Sequence, residues 1–133
     1  MTIVLLATES DDLFRSVDAA LATDEVEVQR LTKGADVVPA VKAISPDLVL
    51  LDLQIGNMGG VAACIALRQE EGVQRLSERP IALLLDREHD IYMAEQADAS
   101  GWLVKPLDAV RLRKLHQGLM AGETFYEHRT PTV

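Results

Sequence analysis

Several carboxylates and one amine stand at the ends of apolar segments, where side chains from distant parts of the chain can meet. Asp52 ends the run Leu48–Leu51, Glu9 follows a first apolar run, and Lys105 follows Gly101–Val104. Oxygen ligands of this kind suit a hard divalent cation such as Mg²⁺, and a lysine reduces the repulsion between carboxylates. A carboxylate in such surroundings can attack a phosphoryl group, because the cation and the amine neutralise the phosphoryl oxygens. These residues therefore indicate a site for phosphoryl chemistry.

A simpler interpretation exists for some of these acids, because acidic residues after a strand often only cap the next helix. Asp11 and Asp12 are well placed for that role, and Asp86 also follows an apolar run. The combination of Asp52, an acidic first loop and a lysine at position 105 nevertheless favours the chemical interpretation.

Apolar runs alternate with helical patterns along the whole chain, which predicts an α/β fold with a mostly parallel sheet. Most of the runs are continuous rather than alternating, as expected for strands that are covered on both faces. The carboxyl ends of such strands share one edge of the sheet, where ligands usually bind. The predicted strands are residues 2–8, 25–31, 48–52, 81–85 and 101–104, and the predicted helices are residues 11–23, 35–44, 61–72, 86–100 (weakly) and 109–120.

The composition limits the classes of partner. The net charge is −8, with 21 acidic residues against 13 basic ones, which argues against binding to a nucleic-acid backbone. The single cysteine, Cys64, excludes an internal disulfide and fits a reducing compartment. No apolar run approaches the roughly 20 residues of a membrane span. We therefore expect a cytoplasmic protein without a membrane or nucleic-acid partner.

Two motifs carry a resemblance to a known family. "SPDLVLLDLQIGNMGG" and "ASGWLVKPLD" resemble the acceptor loop and the Lys-Pro turn of the CheY-like receiver domains of two-component response regulators. The resemblance covers Ile3 to about Met120, so we expect a receiver domain over residues 1–120 and a loose tail over residues 121–133. It implies a doubly wound, flavodoxin-like sheet of five parallel strands in the order 2-1-3-4-5, between two layers of helices.

The same resemblance implies an activity. A histidine kinase or a phosphotransfer protein would donate a phosphoryl group to Asp52 in a Mg²⁺-dependent reaction, and Lys105 would contact that group. A cis peptide bond is expected before Pro106, and Trp102 falls at the aromatic switch position of the family.

The metal site departs from the family pattern, in which two adjacent acids follow the first strand. Counting back from the helix aligns that pair with Glu9 and Ser10, whereas a register one residue earlier gives Thr8 and Glu9, so that either register retains one acid. The expected metal residues are Glu9, Ser10, Asp52 and Gln54. A hydroxyl is a poor Mg²⁺ ligand, so Mg²⁺ should bind weakly. Either of the two acids that follow, at positions 11 and 12, could partly replace the missing carboxylate.

The switch position departs as well. Leu85 stands where the family has Thr or Ser, and it cannot donate a hydrogen bond to a phosphoryl group. Asp86 follows it and would repel a phosphoryl dianion if it turned inward. Gly56 replaces the usual proline of the acceptor loop. We therefore expect an atypical receiver.

Three functions follow from this sequence. The first is a stand-alone, non-enzymatic receiver that is phosphorylated on Asp52 and signals to a protein partner, or to a second copy, through its fourth helix, fifth strand and fifth helix. The second is an atypical receiver that binds partners or dimerises without phosphorylation. It is supported by the presence of Ser10 and Leu85 at the metal and switch positions. The third, a phosphohydrolase with an aspartate nucleophile, needs a second Asp where this chain has Gln54.

Overall fold

The computed structural model describes residues 1–56 and 58–127. Six strands alternate with five α-helices, and two 3₁₀ turns precede the second and fourth helices. The strands are β1 (Thr2–Ala7), β2 (Val26–Leu31), β3 (Leu48–Asp52), β4 (Ile81–Leu85), β5 (Gly101–Val104) and β6 (Phe125–Tyr126). The helices are α1 (Asp11–Leu21), α2 (Val37–Ile44), α3 (Gly60–Gly72), α4 (Ile91–Gln96) and α5 (Ala109–Met120).

The strands form one sheet in the order β2-β1-β3-β4-β5-β6, and every neighbouring pair is parallel. The predicted fold class and the order 2-1-3-4-5 are confirmed. The sixth strand was not predicted: Phe125 and Tyr126 lie in the segment that we expected to be loose, yet they pair with β5. A strand of two residues is too short to produce a recognisable hydrophobic period.

The sheet separates two apolar clusters, as a three-layer fold requires. Successive side chains of a strand point to opposite faces, so Leu5 joins one cluster and Leu6 the other. On the first face the sheet packs against α2, α3 and α4, and on the second against α1 and α5. All residues of β3 and β4 are buried, which explains why their sequences lack a polar alternation.

The helix ends follow from local hydrogen bonding. The Ser10 side chain caps α1 by accepting a hydrogen bond of 3.1 Å from the Leu13 amide. Asp108 caps α5 in the same way through the Arg111 amide, at 2.9 Å. The helix expected over residues 86–100 is shorter than its sequence pattern, and α4 has only six residues. Within the two described ranges, no helix has the length and apolar composition that crossing a membrane requires.

Candidate functional site

Asp52 ends β3, the strand that pairs with both β1 and β4. It lies opposite Leu84, and the residue before it lies opposite Ala7 of β1. The next residue along β1 is Thr8, which therefore stands beside Asp52 at the carboxyl edge of the sheet. Asp52 is only 3% exposed, so its charge needs partners within the protein.

Three donors supply those partners. The Thr8 hydroxyl donates to Asp52 Oδ2 at 2.7 Å. The backbone amide of Gln54 donates to Asp52 Oδ1 at 3.1 Å, and the Lys105 Nζ donates to the same oxygen at 2.5 Å. The contact between Asp52 and Lys105, which lie 53 positions apart in the chain, was predicted from the sequence. The hydrogen bond from Thr8 was not.

Lys105 is shared between two carboxylates, since its Nζ also donates to Asp86 Oδ1 at 2.8 Å. Burial opposes the charged form of Lys105, but the hydrogen bonds to Asp52 and Asp86 outweigh burial and raise its pKa. The amine therefore stays protonated at neutral pH. The peptide bond between Lys105 and Pro106 is cis, as the resemblance implied.

Asp86 turns into the site, where its charge would oppose an incoming phosphoryl group. Besides Lys105, it binds the side-chain amide of Gln54, whose Nε2 donates to Asp86 Oδ2 at 2.7 Å. Burial disfavours ionisation of Asp86, but the hydrogen bonds from Lys105 and Gln54 prevail, and the pKa of this carboxyl is lowered. The pairing of Asp86 with Lys105 was not predicted, although the residue's place after β4 suggested an inward carboxylate.

The loop after β1 distinguishes the two registers that were considered for the acidic pair. Thr8, not Glu9, occupies the position next to Asp52, so the structure supports the Thr8–Glu9 register. Ser10 uses its hydroxyl to cap α1, because its Oγ accepts from the Leu13 amide. Its predicted role as a metal ligand gains no support from that contact.

The two acids that follow also turn elsewhere. Asp11 forms an ion pair with Arg30 at 2.7 Å, and the hydrogen bond from this guanidinium lowers the pKa of Asp11. Asp12 pairs with Arg15. The idea that Asp11 or Asp12 replaces the missing carboxylate is therefore not supported, since an arginine already neutralises each one.

The Glu9 carboxylate folds back against the loop after β3. A Cβ added at Gly56 would lie only 2.1 Å from Glu9 Oε1, so a side chain at position 56 would force Glu9 to move. Gly56 therefore makes room for Glu9 at the rim of the site.

The donor set fits a weakly held Mg²⁺ ion. Among the described residues, no three His, Cys, Asp or Glu side chains form a group that could hold a metal. Mg²⁺ in proteins is often bound through only one or two carboxylates and keeps several waters. Glu9 and Asp52 could supply those two carboxylates. The roles of Ser10 and Gln54 as ligands remain predictions, and the Gln54 side chain is engaged with Asp86.

The two switch positions lie in the core. Leu85 is fully buried in the apolar cluster on the α2 and α3 side, so its side chain packs rather than reaching the site. Trp102 is 2% exposed and stacks on Tyr126, with 4.4 Å between ring centroids and 19° between planes. The partner of Trp102 was missed because Tyr126 belongs to the segment expected to be loose.

Comparison with known proteins agrees with this geometry. The family model of the response regulator receiver domain matches residues 4–117. The chain is 30% identical over 111 residues to the transcriptional regulatory protein CseB of Streptomyces avermitilis, an alignment covering 81% of this chain and 45% of that protein. It is 27% identical over 105 residues to the DNA-binding response regulator MtrA of Mycobacterium tuberculosis, covering 77% of this chain and 43% of that protein. The chain thus spans less than half the length of these two relatives.

Solved structures share the fold at low sequence identity. The chemotaxis protein CheY4 of Vibrio cholerae superposes with a TM-score of 0.77 at 23% identity, over 90% of this chain and 98% of that one. The isolated REC domain of RcsB from Salmonella enterica serovar Typhimurium gives a TM-score of 0.78 at 14% identity, over 95% and 93% of the two chains.

Proposed function

The chain belongs to the response regulator receiver domain family, and on that premise we propose that it accepts a phosphoryl group on Asp52. It is a receiver domain of two-component response regulators, a class of signalling module, and such domains take phosphoryl groups from histidine kinases. The phosphoryl donor would be a histidine kinase or a phosphotransfer protein. As for other members of the family, we place the protein in the cytoplasm.

The observation that carries this proposal is the contact between Asp52 and Lys105 at the carboxyl edge of the sheet. A carboxylate oxygen of Asp52 would attack the phosphorus of a phosphohistidine. The P–N bond would break, its electron pair would go to the imidazole nitrogen, and that nitrogen would then take a proton. Lys105, already held at this edge, would lie close to the transferred group and neutralise part of its charge.

Glu9 and Asp52 are the residues that would hold Mg²⁺ at this edge. When bound, Mg²⁺ offsets the negative charge on the phosphoryl oxygens. Thr8 occupies a position where a second acid would strengthen such a site, so we propose that the metal binds weakly. Lys105 would therefore carry a larger part of the charge compensation than it would beside a stronger metal site.

For the output, we propose a protein partner that binds the face formed by α4, β5 and α5. Charge argues against nucleic acid as that partner, because the chain carries a net charge of −8. A second copy bound to the same face would give a homodimer.

The test is phosphorylation by a small donor. The purified protein is incubated with Mg²⁺ and acetyl phosphate, and its intact mass is recorded. We expect a gain of one phosphoryl group that requires Mg²⁺ and disappears in Asp52→Asn. Asp24→Asn is the matched control, because Asp24 is exposed and precedes β2, at the opposite edge of the sheet. A wild-type mass that does not change at any Mg²⁺ concentration would contradict the proposal.

A further inference from the structure

The segment that follows α5 adds itself to the sheet at the edge of β5. We call Thr124–Glu127 the tail segment. The Phe125 amide donates to the Ser100 carbonyl at 3.1 Å, and Phe125 lies opposite Gly101. A Cβ at Gly101 would lie 2.7 Å from the Phe125 carbonyl oxygen. The absence of a side chain at position 101 therefore permits the close approach of the tail segment.

The tail segment covers the only tryptophan of the chain. Tyr126 stacks on Trp102, and the Trp102 indole Nε1 donates to the Glu127 carbonyl at 2.9 Å. Tyr126 itself is 42% exposed, so the outer side of the stack faces solvent. A cleft of about 380 Å³ borders the stack on the α4 side, lined also by Glu95 and Ala99. The aromatic contact is therefore reached from solvent and is not locked between two helices.

The carboxylate of Glu127 is held from two directions. Its Oε1 accepts from the Val104 amide at 2.8 Å, and its Oε2 accepts from Arg111 Nε at 2.7 Å. Arg111 is itself positioned by the Val104 and Pro106 carbonyls, to which its guanidinium donates at 2.8 Å and 2.7 Å. Asp108 also accepts from Nη1 of this guanidinium at 3.2 Å, which leaves Nε and Nη2 as a preformed site for one further carboxylate, that of Glu127.

These contacts resemble recognition of a peptide by strand addition. Main-chain hydrogen bonds to a sheet edge supply affinity, and side-chain sites along that edge supply specificity. Here the edge offers an aromatic surface at Trp102 and a carboxylate site at Arg111, which we call the β5-edge site. Two adjacent residues of the tail segment fill both of them, Tyr126 and Glu127.

We propose that the β5-edge site binds an extended segment of a partner protein in which an aromatic residue is followed directly by an acidic one, and that the tail segment occupies this site in cis. The inference rests on the proposed output face, but it does not require phosphorylation. The strand β6 has only two residues, lies at the edge of the sheet and carries a Tyr126 ring that is 42% exposed, so it can leave the sheet without unfolding the domain.

Competition from the tail segment determines how much the affinity for a free partner segment should change in a variant. A ligand joined to its site by a short linker acts at an effective concentration in the millimolar range, so a partner segment binds the closed protein weakly. Loss of the Glu127 ion pair should shift the closing equilibrium by about tenfold, and affinity for a free segment should rise by the same factor.

The experiment uses the full chain and a labelled peptide with the sequence of residues 121–127, AGETFYE, without phosphodonor. Binding is followed by fluorescence anisotropy, and release of the tail segment by emission of Trp102. We expect Glu127→Ala to bind the peptide about tenfold more tightly than wild type, with a changed Trp102 emission. Tyr126→Ala, which removes the stacked ring, should shift both readouts in the same direction.

Two controls establish specificity. Glu123→Ala removes an equal charge from an exposed residue just before the tail segment and should behave like wild type. A peptide that ends in Gln instead of Glu should bind every variant more weakly, because it then offers Arg111 no carboxylate in addition to that of Asp108. Circular dichroism shows whether each variant is folded, and acetyl phosphate labelling of the same samples reports separately on Asp52.

Three results would overturn the proposal. Equal peptide affinity in wild type and Glu127→Ala would show that the tail segment does not compete for the site. Binding that ignores the last carboxylate of the peptide would exclude the Arg111 contact. A wild-type dimer with exchanged tail segments, detected by light scattering and by crosslinks between copies, would make a second copy the occupant instead of a partner protein.

Discussion

Replacement of Asp86 by Asn should increase phosphorylation of Asp52. Lys105 donates to Asp52 at 2.5 Å and to Asp86 at 2.8 Å, so one amine compensates two carboxylates. Phosphorylation turns the single charge of Asp52 into a dianion and adds one unit of negative charge next to Asp86. Asp86→Asn keeps the size of the side chain, removes the repulsion and leaves Lys105 to the phosphoryl group alone.

The energy of repulsion between Asp86 and the phosphoryl group can be estimated from this geometry. Two unit charges about 5 Å apart repel by about 3 kcal/mol at an effective dielectric constant of 20. The side chains of Lys105 and Asp86 are 23% and 27% exposed, so solvent and salt screen part of this energy. About 1–2 kcal/mol should remain, which corresponds to roughly 5- to 30-fold in an equilibrium constant.

The assay is the phosphorylated fraction at steady state, measured from intact mass at a limiting acetyl phosphate concentration. Asp24→Asn serves as the charge-matched control and should leave this fraction at the wild-type value. If Asp86→Asn is phosphorylated no better than wild type, Asp86 does not oppose the phosphoryl group, and the reasoning from the shared amine is refuted.

The pH dependence of stability tests the same pair. The folded state lowers the pKa of Asp86 below its ordinary value of 3.8, so the ionised group stabilises the fold above that pH. This contribution is lost as the pH falls through the folded-state pKa. The difference in unfolding free energy between wild type and Asp86→Asn, from urea titrations, should be constant near neutral pH and should shrink in acid below pH 3.8. A difference that grows in acid would show that ionised Asp86 does not stabilise the folded state.

Three further predictions concern other parts of the molecule. Thr8→Asp should tighten Mg²⁺ binding by about tenfold in calorimetry, because it adds a carboxylate beside Asp52; if Ser10→Asp does so instead, the alternative register is correct. Gly101→Ala should release the tail segment and speed hydrogen exchange of its amides, since the new Cβ would meet a backbone oxygen at 2.7 Å. Gly72→Ala, where nothing lies within 4 Å, is its control, and equal exchange in both would contradict the prediction. His116→Leu should raise the unfolding free energy by about 1 kcal/mol, because the buried Nε2 of His116 has no hydrogen-bond partner among the described residues. A lower stability of that variant in urea titrations would show that the imidazole is needed.

Part of the site was predictable because parallel strands bring their carboxyl ends to one edge. That rule places Asp52 and Lys105 together, and the structure shows them in contact. The choice among partners was not predictable, since Lys105 binds Asp86 as well and the sequence left open whether Thr8 or Glu9 stands beside Asp52. These outcomes depend on a one-residue register and on side-chain directions, which a hydrophobic pattern does not determine.

The tail segment illustrates a second limit. Phe125 and Tyr126 form too short a segment to show a hydrophobic period, and their strand forms by pairing with the edge of β5. One signal was present in the sequence: Gly101 begins an apolar strand, and a glycine in a strand often marks the close approach of another backbone. No comparable sequence signal predicts the contact between Arg111 and Glu127, because the two residues lie 16 positions apart and in different parts of the fold.

The position of Asp52 within the sheet has a consequence for how a donor protein must approach. Its strand is bonded on both sides, and the Leu53 amide is fixed to the Leu84 carbonyl at 3.0 Å, so the backbone of the acceptor cannot advance towards a donor. All adjustment during an encounter must come from the donor and from the rim side chains, chiefly Glu9, Gln54 and Asp86. Discrimination between donor proteins should therefore be altered by changing those rim residues, while the strand that carries the nucleophile is left as it is.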